Sequence, residues 1–171
     1  GVVSKADSLF AEVDSCYNQL RKRASLSSSS LSIVSELKSG SAWYVPGGCS
    51  TIGRLFNDAC GRYAFAEDKH SGSIPLAFET VFDKAGDADV WTIKYNRDRD
   101  MTYSDLKADY IGYTGFKAFK TRNIYGCNTA KVPFYEETPF RPDYLLSDLI
   151  QILHPEIGDL GGLRYFCKLN E

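Results

Sequence analysis

Residues 42–61 read AWYVPGGCSTIGRLFNDACG, and the changes of character within this stretch decide the fold. Ala42–Val45 combines aromatic and β-branched residues and is expected to be a strand. Pro46, Gly47 and Gly48 stop it. Ser50 or Thr51 then caps a helix whose apolar residues Ile52, Leu55, Phe56 and Ala59 recur at helical spacing. Strand, glycine turn and helix N-terminus in that order leave backbone N–H groups pointing outward beside two aromatic rings. In an open α/β sheet, ligands collect at such carboxyl ends of strands. The stretch reads as a binding edge more clearly than as a catalyst.

Outward from this centre, strand and helix patterns alternate. Residues 4–23 form an amphipathic helix with Leu9, Val13, Tyr17 and Leu20 on one face and Arg21–Arg23 at its C-terminal end. Residues 24–30 are a serine-rich loop, 31–34 a strand and 38–41 a turn. After the central unit come a short strand at 62–65, a polar loop at 67–73 and a helix at 76–85 ended by Gly86-Asp87. Residues 88–93 are the best central strand and deliver Tyr95 and Asn96 to its carboxyl end. Thr102 and Asp105 form a capping box, and 123–127 is a further strand. A long loop at 128–141 carries Phe134 and Tyr135; Pro142 then opens a helix that Pro155 stops. Residues 163–169 alternate as a last strand. This order predicts an α/β fold of three layers, a mainly parallel sheet with helices on both faces.

The chain of 171 residues is long enough for one domain with a full core. Its formal net charge of -2 and pI near 5.7 provide no basic footprint for nucleic acid. No apolar run reaches the length of a membrane span and no signal peptide is visible. Residue 1 is glycine, so the chain reads as processed, truncated or cleaved from a tag. The five cysteines (Cys16, Cys49, Cys60, Cys127, Cys167) lack CxxC spacing. Cys49 and Cys60 flank one helix and are separated by roughly 16 Å, too far to bridge. One disulfide elsewhere stays open.

Catalytic signatures are incomplete. Gly48-Cys49-Ser50-Thr51-Ile52 approaches a nucleophile elbow, but Ile52 stands where the second glycine is required. His154 follows Ser50 in the order of a hydrolase triad, yet it ends a helix beside proline. No Gly-Lys-Ser/Thr follows the Pro-Gly-Gly turn, so it is no phosphate loop. Neither His70 nor His154 has a partner at metal-ligand spacing, and no cofactor is expected. The aromatic residues carry more weight. Trp43, Tyr44, Tyr95, Phe134 and Tyr135 are all expected at or near carboxyl strand ends or in the long loop, on one rim with the glycine turn, as a wall for a large, flat or multi-ring ligand. An α/β serine hydrolase using Ser50, or a protein-interaction module using the aromatic edge, are the other readings.

Several segments in fixed order resemble a known family: Trp43–Gly48, Asn57–Tyr63, Phe78–Val81 with Ala88–Trp91, Phe116–Lys120 through Tyr125, and Arg141–Asp143 opening a helix that closes on Leu153–Glu156. Together they resemble the C-terminal half of periplasmic substrate-binding proteins of ABC importers for iron–siderophore, haem and cobalamin, in the style of Bacteroidetes lipoproteins. The resemblance implies a bilobal protein. Residues 1–24 would be the end of the helix connecting the lobes and 25–171 the C-terminal lobe, with an N-terminal lobe outside this chain. It implies a periplasmic location, with a lipid anchor in the full-length form, and an ABC permease as partner. It also implies an iron-chelate or corrinoid-like ligand held by Trp43, Tyr44, Ser50, Tyr95, Asn96, Phe134 and Tyr135. Glu79, in the first turn of the 76–85 helix, matches the exposed glutamate by which the family docks on permease arginines.

Overall fold

The decisive stretch does fold as strand, turn and helix, but its strand belongs to a second sheet. The computed structural model describes residues 1–171. It runs α1 (Val2–Ser25), β1 (Ser32–Ser35), β2 (Lys38–Ser39), β3 (Ala42–Pro46), α2 (Thr51–Asp58), β4 (Arg62–Tyr63), β5 (Ser73–Leu76) and α3 (Phe78–Ala85). There follow β6 (Val90–Tyr95), α4 (Tyr103–Asp109), a 3-10 turn at Ile111–Gly115, α5 (Lys117–Lys120), β7 (Ile124–Asn128), α6 (Phe134–Glu137), α7 (Pro142–Leu153) and β8 (Cys167–Lys168).

The main sheet has the order β4-β1-β6-β7-β8. Its first four strands are parallel, and β8 pairs antiparallel with β7. The fold is thus α/β with a mainly parallel sheet. The second sheet, β2-β3-β5, is antiparallel. Gly40, at φ +58, occupies the first central position of the two-residue turn that joins β2 to β3, where a positive φ matches the strand twist. Residues 73–76, read from sequence as polar loop and helix start, are the edge strand β5. Pro75 is tolerated there because an edge strand can leave one backbone position without a donor. The expected last strand shrinks to two residues, and the 128–141 loop contains α6.

Alternation along the strands assigns the two faces of the main sheet. Ser35, Thr92 and Lys94 share one face with Phe56 of α2 and with Leu145 and Leu149 of α7. Helix α1 packs on the outside of α7, its Tyr17 hydroxyl donating to Asp58 at 2.7 Å. Val2, Val3, Leu9 and Phe10 on the N-terminal half of α1 are exposed. On the opposite face Trp91 meets Trp43 at 5.7 Å between ring centroids, Phe116 at 5.0 Å and Tyr113 at 5.2 Å. The small sheet, α3 and the 3-10 turn close around these rings.

This corrects the reading of Trp43. Its ring is wholly buried, and its Nε1 donates to the Ser35 carbonyl at 2.9 Å. The indole locks the small sheet to the end of β1 and shows no surface to a ligand. All five cysteines are unpaired, and burial pushes the Cys127 thiol up to about 12. No helix is long and apolar enough to cross a membrane.

Candidate functional site

The main sheet changes direction between β1 and β6. From β1 the chain returns to β4 on one side, whereas β6 leads on to β7 on the other. Loops leaving the carboxyl ends of two such strands diverge, and a crevice opens between them. Two charged residues stand at this point. Glu36 follows β1 in a left-handed conformation, φ +69, which costs a residue with a Cβ about 1–2 kcal/mol. Two hydrogen bonds hold it there: its N–H donates to the Thr92 carbonyl, and its own carbonyl accepts from Trp91 Nε1, each at 2.9 Å. Backbone strain of this kind marks functional positions more often than chance.

The turn swings the Glu36 carboxylate onto Lys94 of β6, and the two form an ion pair. Their side chains are 21% and 18% exposed, so the pair is sheltered but reachable. Lys94 Nζ also lies 5.5 Å from the centroid of the Phe134 ring, in cation–π range. Above this floor is a cleft of about 470 Å³. Tyr44 and Pro46 of β3 wall one side, Ser50, Thr51 and Ile52 at the start of α2 another, and Ser71–Ser73 a third.

The glycine turn supports this cleft in a way the sequence reading did not anticipate. Its N–H groups do not point outward. Gly47 N–H donates to the Gly72 carbonyl at 2.9 Å and Cys49 N–H to the His70 carbonyl at 3.2 Å. A Cβ on Gly47 would stand 2.3 Å from the His70 carbonyl oxygen, and one on Gly48 2.1 Å from that of Ala66. The glycines therefore let the turn and the 66–72 segment touch backbone to backbone.

Of the residues expected in the cleft, Tyr44 and Ser50 line it. Tyr44 is 49% exposed. Phe134 lies below, buried under Lys94, and Tyr135 packs edge-on against it at 5.3 Å while remaining 63% exposed. Tyr95 and Asn96 go elsewhere. Strand alternation turns Tyr95 to the face opposite Lys94, where its hydroxyl accepts from Met101 N–H at 3.1 Å. Asn96 Nδ2 donates to Thr129 Oγ1 at 3.2 Å. Tyr95 thus braces the 97–101 loop and Asn96 ties the end of β6 to the segment after β7, so the expected single rim of rings is not formed. The residues missed were Glu36 and Lys94. The signal for Lys94 was its place at the end of the central strand, one residue before Tyr95 and hence on the other face.

The hydrolase reading finds no geometry. Ser50 Oγ donates to the Gly47 carbonyl at 2.6 Å and accepts from Gly53 N–H at 3.0 Å, an N-cap that commits its only proton. His154 is fully buried, its Nε2 bonded at 2.7 Å to the carbonyl of Ala59. Ser50 and Ala59 stand at opposite ends of α2, about 13 Å apart at 1.5 Å per residue. Glu79 is in the first turn of α3, which begins at Phe78 rather than Leu76. It is exposed and makes no ion pair.

The sequence and the fold match known proteins. The sequence profile described as periplasmic binding protein matches residues 1–130. The chain belongs to this family. An uncharacterized lipoprotein of Methanocaldococcus jannaschii is 31% identical over 128 residues, which are 74% of this chain and 30% of that protein. The periplasmic haem-binding protein of Roseiflexus sp. RS-1, in its apo form, superimposes with a TM-score of 0.69 at 19% identity over 91% of this chain and 57% of that one. A protein of the ABC-type Fe3+-hydroxamate transport system of Saccharomonospora viridis gives 0.67 at 14% identity over 86% and 49%. At these identities the structural likeness shows the fold alone. The chain of this periplasmic binding protein thus spans 30% of the lipoprotein's length and 57% and 49% of the two structures. The family is one of binding proteins, and the Glu36–Lys94 cleft lies where an α/β fold of this kind binds its ligand.

Proposed function

We propose that this chain is the C-terminal ligand-binding lobe of the substrate-binding component of an ABC uptake system for an iron–siderophore, haem or cobalamin-like compound. The observation that carries the reading is the cleft at the switch point, where a strained Glu36, its partner Lys94, Tyr44 and the start of α2 converge. Two structural neighbours, a haem-binding protein and a protein of an Fe3+-hydroxamate transport system, support haem and iron–siderophore as ligand classes. Residues 1–24 are then the end of the helix joining this lobe to an N-terminal one, and 25–171 the lobe itself. The exposed apolar residues of α1 suit a helix that continues into a neighbouring lobe. A periplasmic location, anchored as a lipoprotein in the full-length form, accords with the lipoprotein relative.

The two tryptophans are buried and serve as internal reporters. Titrating the full-length protein with ferric siderophores, haemin and cobalamin should give saturable quenching with at least one of them. That response should weaken in Tyr44→Ala, which alters an exposed residue. Absence of saturation with every ligand would reject the proposal. For docking, Glu79→Lys should leave ligand affinity intact and stop transport in cells; uptake at the wild-type rate would refute the role of Glu79.

A further inference from the structure

The wall of the cleft is rich in uncommitted hydroxyls and poor in charge. Ser39, Tyr44, Thr51, Ser71 and Ser73 line it, and all are exposed. None of their hydroxyls makes a hydrogen bond within the protein; Ser50 alone donates its own, to the Gly47 carbonyl. The charged residues of the lining are Glu36 and Lys94, and they cancel each other. Asp68 and His70, just before Ser71, pair with each other at 3.0 Å. Arg54 lines the adjoining groove toward α1, beside Asp14 and Asp58. A solute at the cleft wall therefore meets many neutral donors and acceptors and no uncompensated charge.

The pair is also built to stay closed. Glu36 cannot retreat with its backbone, because its N–H and carbonyl are bonded across to the Thr92 carbonyl and to Trp91 Nε1. Lys94 lies over the buried ring of Phe134. A left-handed backbone, kept at a cost in order to aim the carboxylate of the lining, is more than a surface ion pair requires. Its effect is to mask Lys94. A lone lysine on the floor would attract anionic solutes; with Glu36 in place, an anion that reaches Lys94 also meets a carboxylate. Such a repulsion separates ligands as well as an added contact does.

We propose that Glu36 is a specificity-determining residue that masks Lys94 and so restricts the cargo to metal chelates without net charge, whose oxygens the free hydroxyls bond. The inference rests on the cleft being the cargo site, as proposed above. The cleft is open to solvent, so a chelate larger than its 470 Å³ lays only an edge against this wall. An uncharged chelate exchanges water for hydroxyls that both donate and accept. An anionic one gives up hydration and gains no free cation.

The test titrates four chelates into the full-length protein and reads tryptophan quenching. A ferric trihydroxamate and cyanocobalamin are uncharged overall; a ferric tricatecholate and haemin are anionic. At least one of the uncharged chelates should saturate at a concentration about tenfold or more below that needed by either anion. Glu36→Gln keeps the length of the side chain and removes its charge. It should tighten the anions about tenfold and leave the uncharged chelates within about twofold. Lys94→Gln, which leaves the carboxylate alone, should weaken the anions further, and it covers the case in which thermal melts show Glu36→Gln to fold poorly. A purely structural ion pair would lower the stability of both variants and move neither preference. Tighter binding of an anion by the wild type, or an unchanged preference in the variants that fold, overturns the proposal while the uptake reading stands. No saturation by any of the four rejects the uptake reading itself, and this proposal with it.

Discussion

Gly53, in the first turn of α2, is the position where two ordinary effects oppose each other most directly. In an exposed helix, replacing glycine by alanine adds about 1 kcal/mol of stability. Here a Cβ would lie 2.2 Å from the Gly47 carbonyl oxygen and 2.9 Å from that of Gly48. Something must retreat by most of an ångström. The Gly47 carbonyl is poorly placed to do so, because it already accepts from Ser50 Oγ at 2.6 Å and from Ser50 N–H at 3.0 Å. Overpacking of this kind costs about 1–3 kcal/mol, and the lengthened Ser50–Gly53 cap adds to it. We expect Gly53→Ala to be destabilising by about 1–2 kcal/mol net, lowering the thermal midpoint by roughly 2–8 °C for a chain of this size. Gly72→Ala is the control: nothing lies within 4 Å of its Cβ and its φ is not positive. It should be neutral or stabilising by up to about 1 kcal/mol. Parallel urea and thermal melts decide the matter. A Gly53→Ala midpoint at or above wild type would show that turn and helix do not approach as described.

Trp43→Phe should destabilise by about 2 kcal/mol, combining lost packing with an unpaired Ser35 carbonyl, while ligand affinity stays unchanged; a selective loss of affinity would return Trp43 to the cleft. Ser50→Ala should cost about 1 kcal/mol as a lost N-cap, and a serine-directed fluorophosphonate should label wild type and variant alike. Asp89 provides the acid limb of stability. Burial pushes its carboxyl up, but Lys117 Nζ at 2.6 Å and the Ser32 N–H and Oγ at 2.9 Å outweigh this and hold it at about 2. A depressed carboxylate contributes above its unfolded pKa and loses that contribution as pH falls through the folded one. About 2 kcal/mol should therefore vanish between pH 4 and pH 2, in the same sense as other paired carboxylates. In Asp89→Asn, denaturation midpoints across that range should be flatter; an unaltered acid limb would contradict the assignment.

Much of the chain could be read directly, because the relevant forces are local. Helical periodicity located α2 and α7, the Thr102–Asp105 box located α4, and the Pro-Gly-Gly break marked the end of β3. Strands separated by helices implied a mainly parallel sheet, and four of the five strands of the main sheet run parallel. Where reading failed, the deciding partner was distant in sequence. Ala42–Val45 has the composition of a central parallel strand, yet β2 and β5 claim both its edges. Ser73–Leu76 carries a proline, and only its place at the sheet edge makes it a strand.

The site divides in the same way. Sequence alone determined the alternation of elements, a Ser50-or-Thr51 cap on α2, the helix carrying Glu79 and the family resemblance, since each is written in neighbouring residues; the structure chose Ser50 as the cap and exposed Glu79. Tertiary structure alone decided which rings face a ligand: Trp43 turned inward because Ser35 offers its indole an acceptor, and Tyr95 fell on the far face by strand parity. It also made the floor of the cleft. Glu36 and Lys94 are unremarkable in one dimension; they become a pair because β1 and β6 lie side by side and a left-handed residue turns the carboxylate across the gap.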